Sequence, residues 1–452
     1  MQSAFLAELK SLPADLWSVD EAERKHYAHD WTYPENPNAS VVLLPRTKEH
    51  VVAMVMLAQK HKIAIVPSGG RTGLSGGACA LNGEAVLTLT RMNKIHAVDI
   101  VSRTLDVEAG AITEAVHEAT KAYGLTWPVD FASKGSSTVG GNIATNAGGI
   151  NVIQYGNTRN WVLGLDVVLA SGELVTLNGK LEKNNCGPDL RELFIGSEGI
   201  LGIIVGATLK LAPLVANKTT VLIGVRDLSA FHRIFEHGRK CAAKFHAFEF
   251  FSDSCMNIVS HFSKVPNPLS TPAPWYLLTE WEGENPWFDA VMEMDGFIDG
   301  RMAQSSDEAK LMWAFRERIA ESVSLRQNPN KNDISVAVNQ VPEFLETFGS
   351  TLPKRFPQVD FFLYGHLGDG NLHLNTLPKS PSLDWKKTIL EINVAVAEIT
   401  RDFHGSISGE HGVGLIKKPY LSYSLTETEI ALLRGLRIVF DPSGIMNPGK
   451  VV

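Results

Sequence analysis

Two histidines flank a tight turn in the run Tyr364-Gly365-His366-Leu367-Gly368-Asp369-Gly370-Asn371-Leu372-His373-Leu374-Asn375. A Gly-Asp-Gly turn between two strands puts His366 opposite Asn371, with His373 the diagonal neighbour on the same sheet face. Imidazoles so placed can share one metal ion, and Asn375 projects from the same face. On spacing alone, two separately hydrogen-bonded histidines are the plainer reading. A second run, Ser408-Gly409-Glu410-His411-Gly412-Val413-Gly414, sets a carboxylate beside an imidazole. Along an extended segment adjacent side chains point opposite ways, so Glu410 could complete a His-His-carboxylate set while His411 faces a substrate. An exposed charged turn is the alternative.

Glycine marks where else chemistry could sit. More than half of the 38 glycines fall in the windows 67–78, 135–149, 196–206, 365–370 and 405–414. Glycine is used where a backbone takes positive φ or approaches a ligand closely. The first window, Pro67-Ser68-Gly69-Gly70-Arg71-Thr72-Gly73-Leu74-Ser75-Gly76-Gly77, follows a strand and can turn several amides inward as an anion-binding nest; a surface loop is the competing reading. No Gly-Lys-Ser/Thr follows it and no G-x-G-x-x-G exists, which disfavours ATP and an ordinary NAD fold. The second window, Lys134-Gly135-Ser136-Ser137-Thr138-Val139-Gly140-Gly141-Asn142-Ile143-Ala144-Thr145-Asn146-Ala147-Gly148-Gly149, is rich in hydroxyls and amides. It suits a polar ligand surface better than the interior of a strand or helix.

The elements that must position these runs read as α+β, with many short strands in irregular order. Strands are expected at 41–44, 63–66, 85–90, 104–109, 162–170, 173–177 and 202–210, with helices at 47–61, 113–123 and 188–194. Past Ala212-Pro213 the texture changes. Strands near 219–225, 245–251 and 275–281 alternate with helices near 228–243, 305–326, 341–350 and 385–403, and a last helix covers 425–439. The 452 residues allow two or three domains, and the chain divides into an N-terminal segment 1–35, domains at 36–213 and 214–405, and a C-terminal segment 406–452. A formal net charge of -7 gives no general attraction to nucleic acid or anionic lipid. No apolar run reaches 18 residues, so no membrane span is expected. Residues 1–16 read as a surface helix and not a signal peptide. Cys79, Cys186, Cys241 and Cys255 form no C-x-x-C pair, which points to a reducing, cytoplasmic setting.

The first two windows, followed by Gly196-Ser197-Glu198-Gly199-Ile200-Leu201-Gly202, resemble the FAD-binding domain of the vanillyl-alcohol-oxidase/p-cresol-methylhydroxylase flavoprotein superfamily over residues ~36–213. Three such segments in order are specific where one would be weak. The resemblance implies a two-subdomain FAD-binding domain, a ferredoxin-like α+β cap and a C-terminal helical segment. It implies that window one wraps the FAD pyrophosphate, while window two and Ile203 approach the ribityl chain and ring. The cofactor contacts it implies come from residues 67–74 and from Pro128, Asp130, Ser133, Gly135, Ser136, Thr138, Gly140, Gly141, Asn142, Thr145, Asn146, Ala147, Gly148, Gly149, Tyr155, Glu198, Gly199, Gly202, Ile203 and Asn447. Relatives with histidyl-linked flavin carry His after the Gly-Gly pair. Arg71 stands there, so the FAD is expected to be non-covalent.

The two histidine-bearing runs, with Phe440-Asp441-Pro442-Ser443-Gly444-Ile445-Met446-Asn447-Pro448-Gly449-Lys450, resemble the FAD-linked D-2-hydroxyacid dehydrogenases. Tyr155–Trp161, Leu193–Gly199 and Lys331–Val336 are similar to the D-2-hydroxyglutarate dehydrogenase branch. That resemblance implies a divalent metal, zinc expected, on His366, His373 and Glu410. It implies His411 as catalytic base, Arg316 and Lys331 on substrate carboxylate, and Asn375 assisting. A distal carboxylate would explain two cations where a monocarboxylate needs fewer. It also implies an electron acceptor such as a quinone or an electron-transfer flavoprotein, and a homodimer. Two positions depart from the branch: Ala320 replaces a hydroxyl residue, and Cys186-Gly187-Pro188-Asp189 replaces Thr-Gly-Tyr-Asp. The alternatives are a D-lactate- or glycolate-type dehydrogenase, a metal-dependent hydrolase without flavin, and a catalytically silent flavin subunit.

Overall fold

The computed structural model describes residues 2–241, 243–283 and 285–452. The chain divides into two compact units. One comprises Met1–Gly149, Asn157–Leu214 and His411–Val452; the other comprises Ile150–Gly156 and Val215–Glu410.

The first unit holds a four-stranded and a five-stranded sheet. The four-stranded sheet runs in the order Trp17–Ser18, Ala39–Leu43, Glu84–Thr88, Ile65–Ser68, its last two pairings parallel. Parallel neighbours need a crossover. The helix Lys48–His61 carries the chain from Ala39–Leu43 to Ile65–Ser68, on the far side of Glu84–Thr88, burying Val51, Met54, Val55 and Ala58 on one helical stripe. The Thr47 side chain caps its start and Lys62, at φ 53, ends it. The antiparallel five-stranded sheet runs Ile95–Asp99, Thr104–Glu108, Ile203–Lys210, Val162–Val168, Leu174–Leu177. The N-terminal helix expected at the surface spans Gln2–Leu9 but sinks Phe5 and Leu9 fully into this unit's core.

Window two contains a helix that its composition argued against. Val139–Thr145 is helical because Thr138 accepts a hydrogen bond from Gly141 N at its start and Asn146 ends it in the left-handed conformation. Caps outweigh weak propensity over two turns.

The second unit is built on one seven-stranded antiparallel sheet. Its order is Phe297–Met302, Lys218–Val225, Trp275–Glu282, Phe245–Ser252, Val359–His366, Asn371–Pro378, Asn330–Ser335. One face packs Phe248, Phe250, Ile334, Leu372 and Leu374 against helices Leu228–Lys240, Val341–Arg355 and Trp385–Asp402. The helix expected over 228–243 stops at Lys240, and position 242 lies outside the described residues. The single helix expected over 305–326 breaks at Arg318 into Ser306–Glu317 and Ile319–Arg326. The break keeps Met312, Phe315, Ile319 and Val323 in one buried cluster.

The histidine hairpin forms in the expected register: His366 pairs with Asn371, and His373 faces Tyr364 one step along. Gly370 takes the turn's positive φ of 82.

Candidate functional sites in each unit

In the first unit the strand Ile65–Ser68 delivers the loop 69–77 at its C-terminal end. Among the described residues, no acceptor receives a backbone N–H from positions 69–75. Arg71 stands in the left-handed conformation, φ 58, as a nest requires. Ser68 Oγ is buried and unpartnered, and so is Asn447 Oδ1. Free amides, an orphaned hydroxyl and an orphaned carbonyl beside the loop are what a polyanionic, polar cofactor would satisfy, so these residues fit FAD. The loop lies tightly on window two: a Cβ on Gly70 would collide with Ser136 O, and one on Gly69 with Thr138 Oγ1. These two glycines are required by chain-to-chain packing as much as by any ligand. The Arg71 guanidinium donates to His26 O and lies 5.0 Å from the Tyr27 ring centroid, so the N-terminal segment pins the loop's one cation.

Several expected cofactor side chains are taken up by the fold. Asn142 Nδ2 donates to Thr113 Oγ1 at 2.7 Å, Thr145 Oγ1 to Gly141 O at 3.1 Å, and Asn146 Oδ1 accepts from Arg159 N at 3.0 Å. Asp130 holds Lys134 at 2.9 Å, and its carbonyl is packed against Gly149. Ser133 O accepts from the amides of Ser136 and Ser137. Pro128, Gly135, Gly140, Gly141, Ala147 and Gly148 lie on the same stretch. Gly199, Gly202 and Ile203 lead into the strand Ile203–Lys210. Tyr155 alone of the expected set lies in the second unit, 5.6 Å ring to ring from His246.

Glu198 does work that the sequence did not suggest. Its buried carboxylate accepts from Val413 N at 2.6 Å and Gly414 N at 2.9 Å. A Cβ on Gly414, φ 51, would collide with Ser75 O. Asn447 Nδ2 donates to Gly77 O at 2.9 Å and Glu198 O at 2.7 Å, and Ile65 pairs with Met446. Windows one, three and five are thus knotted together by a single glutamate and a single asparagine. Burial lifts the Glu198 carboxyl to about 7 despite the two amides and Lys417, which favour its charge. The folded state therefore binds this proton more readily than an unfolded chain with a value near 4.5. Stability from it is complete below about pH 4.5 and is lost as pH rises to about 7, at no more than about 1.4 kcal/mol per pH unit. Glu198→Gln is expected to flatten that part of the thermal-stability profile. An unchanged slope between pH 5 and 7 would refute the assignment.

In the second unit, cross-strand pairing assembles a polar face. Directly opposed residues share a face. One row reads Glu249, His366, Asn371; the next Tyr364, His373, Asp333; the third Asn375, Lys331. His366 Nε2 lies 3.6 Å from Glu410 Oε1, and His373 Nε2 lies 3.8 Å from Glu410 Oε2. The three ligand atoms fall within 4.8 Å of one another. Two imidazole nitrogens and a carboxylate oxygen at that separation form a donor set suited to zinc or a similar ion with a position left for substrate. Burial would lower the His366 pKa, but Glu249 and then Glu410 outweigh it and hold it at about 9. These surroundings favour positive charge.

Arg316 reaches the same face from the helix Ser306–Glu317. Its Nε lies 2.8 Å from Glu249 Oε2, its Cζ is 4.9 Å from the Tyr364 ring centroid, and its Nη2 is 3.4 Å from His366 Nε2. Asn375 Nδ2 donates to Tyr364 Oη at 3.1 Å. Lys331 is half-buried opposite Asn375, and burial lowers its pKa. Hence Arg316, Lys331, His366, His373, Asn375 and Glu410 all belong to this unit. His411 follows Glu410 directly and opens the first unit's last segment. The carboxylates Glu249 and Asp333 were missed as site residues. The signal for Glu249 was a lone acid in the aromatic strand Phe245–Ser252, where a charge needs a partner.

A family model described as FAD linked oxidases, C-terminal domain, matches residues 214–451, and one described as FAD binding domain matches 39–178. A D-2-hydroxyglutarate dehydrogenase of Xanthomonas citri pv. viticola is 43% identical, over 98% of this chain and 95% of that protein. One from Stutzerimonas stutzeri is 42% identical, over 99% and 98%. The mitochondrial enzyme of Danio rerio is 35% identical, over 94% and 80%. Among solved structures, 4-ethylphenol oxidase from Gulosibacter chungangensis superposes with a TM-score of 0.77 at 20% identity, covering 99% of this chain and 96% of that one. Alkyldihydroxyacetonephosphate synthase gives 0.75 at 18%, covering 99% and 86%. These two share the fold.

Proposed function

Because this chain belongs to the FAD-linked oxidases and is an FAD-dependent oxidoreductase, we propose that it oxidises a D-2-hydroxy acid, D-2-hydroxyglutarate foremost, to the 2-oxo acid. The observation that carries this reading is the second unit's polar face, where a His-His-Glu set lies beside a buried arginine and a half-buried lysine. The reaction removes a proton from the substrate hydroxyl and a hydride from C2. FAD, when bound, supplies the acceptor for that hydride. A divalent ion on His366, His373 and Glu410 would supply a Lewis acid for the hydroxyl oxygen. Arg316 offers its guanidinium to one carboxylate while remaining ion-paired with Glu249, and Lys331 offers a point charge to a second. His411 takes the hydroxyl proton, since an imidazole is matched to proton transfer near neutral pH. The D-2-hydroxyglutarate dehydrogenase relatives support the dicarboxylic substrate.

Anaerobic mixing of the purified flavoprotein with D-2-hydroxyglutarate, D-malate, D-lactate and glycolate tests the reading. D-2-hydroxyglutarate is expected to bleach the flavin with the highest second-order rate constant. Faster bleaching by D-lactate or glycolate would transfer the assignment to a monocarboxylate dehydrogenase, and no bleaching by any of them would overturn it.

A further inference from the structure

Glu249 lies among aromatic residues on the strand Phe245–Ser252 and is only 1% exposed. An unpaired carboxylate there would cost several kcal/mol, so its partners define its purpose. It has two, on different functional groups. Arg316 Nε is 2.8 Å from one oxygen, and His366 Nδ1 is 2.8 Å from the carboxylate. We propose that Glu249 is a positioning residue that orients the metal ligand His366 and the substrate-binding Arg316 through one buried carboxylate. This rests on the metal and substrate reading above.

The geometry gives each half of the role a cause. With Nδ1 on Glu249, the His366 ring is held with Nε2 on the side of Glu410 and Arg316, 3.6 and 3.4 Å away, where its neutral form could ligate a metal. A carboxylate behind a ligating imidazole also raises its basicity. The ion pair at Nε draws the guanidinium onto Glu249 and leaves Nη1 for a carboxylate, with Nη2 3.4 Å from His366 Nε2. His373 has its own counterpart in Asp333, which is fully buried. Asp333 Oδ1 lies 3.8 Å from His373 Nδ1, and Oδ2 accepts the backbone N–H of Glu410 at 3.0 Å. Each histidine is thus backed by a separate acid, and Glu249 also touches Arg316, one of the two cations expected to hold substrate. Metal affinity and substrate affinity should then fall together when it is altered.

The test uses the purified flavoprotein and its Glu249→Gln variant, with Zn²⁺ affinity measured by competition against a chromophoric chelator. Flavin reduction is followed as a function of D-2-hydroxyglutarate concentration. Glu249→Gln is expected to weaken Zn²⁺ binding by about 10–100-fold and to raise KM, with flavin content unchanged. Glu249→Asp, which keeps the charge, should recover part of both. Wild-type Zn²⁺ affinity in a folded, flavin-loaded Glu249→Gln protein would overturn the proposal and leave the metal reading standing. If the wild-type protein binds no divalent ion, the metal reading falls and this proposal with it. If Glu249→Gln does not fold, Glu249→Asp takes its place, with weakened Zn²⁺ binding expected and wild-type affinity overturning the proposal.

Discussion

His411→Ala is expected to give a yellow protein that substrate does not bleach. Without the imidazole the hydroxyl proton has no acceptor among the assigned residues, and loss of a general base costs about 10²–10⁴-fold. Flavin should be retained, because the first unit's loop amides and the Glu198 and Asn447 bonds do not involve the His411 side chain. Metal should also be retained, since the set His366, His373, Glu410 is complete without it. Stopped-flow absorbance under anaerobic conditions reads the effect directly. A reduction rate near that of the wild-type protein would remove His411 from the role of base.

Arg316→Ala should fail in a different manner, in both stability and turnover. Two hydrogen bonds to a charged carboxylate contribute about 3 kcal/mol or more together, which is on the order of 100-fold in kcat/KM. The substitution also strands Glu249. Removing one partner of a buried ion pair costs about 3–5 kcal/mol, and the lower end applies because His366 remains beside the carboxylate. Arg316→Lys should restore much of the thermal stability but little of kcat/KM, since one ammonium cannot hold Glu249 and grip a carboxylate bidentately. Unchanged kcat/KM in folded, flavin-loaded Arg316→Ala would place this side chain outside the substrate site.

The hairpin was legible in the sequence because turn chemistry and strand alternation are local rules, and Gly368-Asp369-Gly370 leaves few registers for His366 and His373. The helices Lys48–His61, Trp385–Asp402 and Glu427–Phe440 were legible because their periodicity is equally local, whereas the break at Arg318 was not. The helix Val139–Thr145 was not, because its stability comes from Thr138 and Asn146 at its ends and from neighbours such as Ala109, against which Gly140 is packed. Glu198 and Glu249 were illegible in another sense. Their partners are 215 and 67 residues away in sequence, at Val413 and Arg316, and no periodicity marks such a pairing. Family resemblance marked the glycine windows, but it could not say which glycines meet a ligand and which meet Ser136 or Ser75.

The path of the chain between its two units bears on how the protein is made. The second unit's main stretch, Val215–Glu410, is one uninterrupted piece, whereas the first awaits His411–Val452. On a translating ribosome the second unit can therefore close while the first is still unfinished. Until Met446 reaches Ile65 and the amides of Val413 and Gly414 reach Glu198, a nascent chain exposes the edge strand Ile65–Ser68 and a buried-to-be acid. Such an interval is when unpaired strand edges aggregate. Chaperone dependence and proteolytic sensitivity during synthesis should accordingly concentrate in the earlier-made half of the polypeptide.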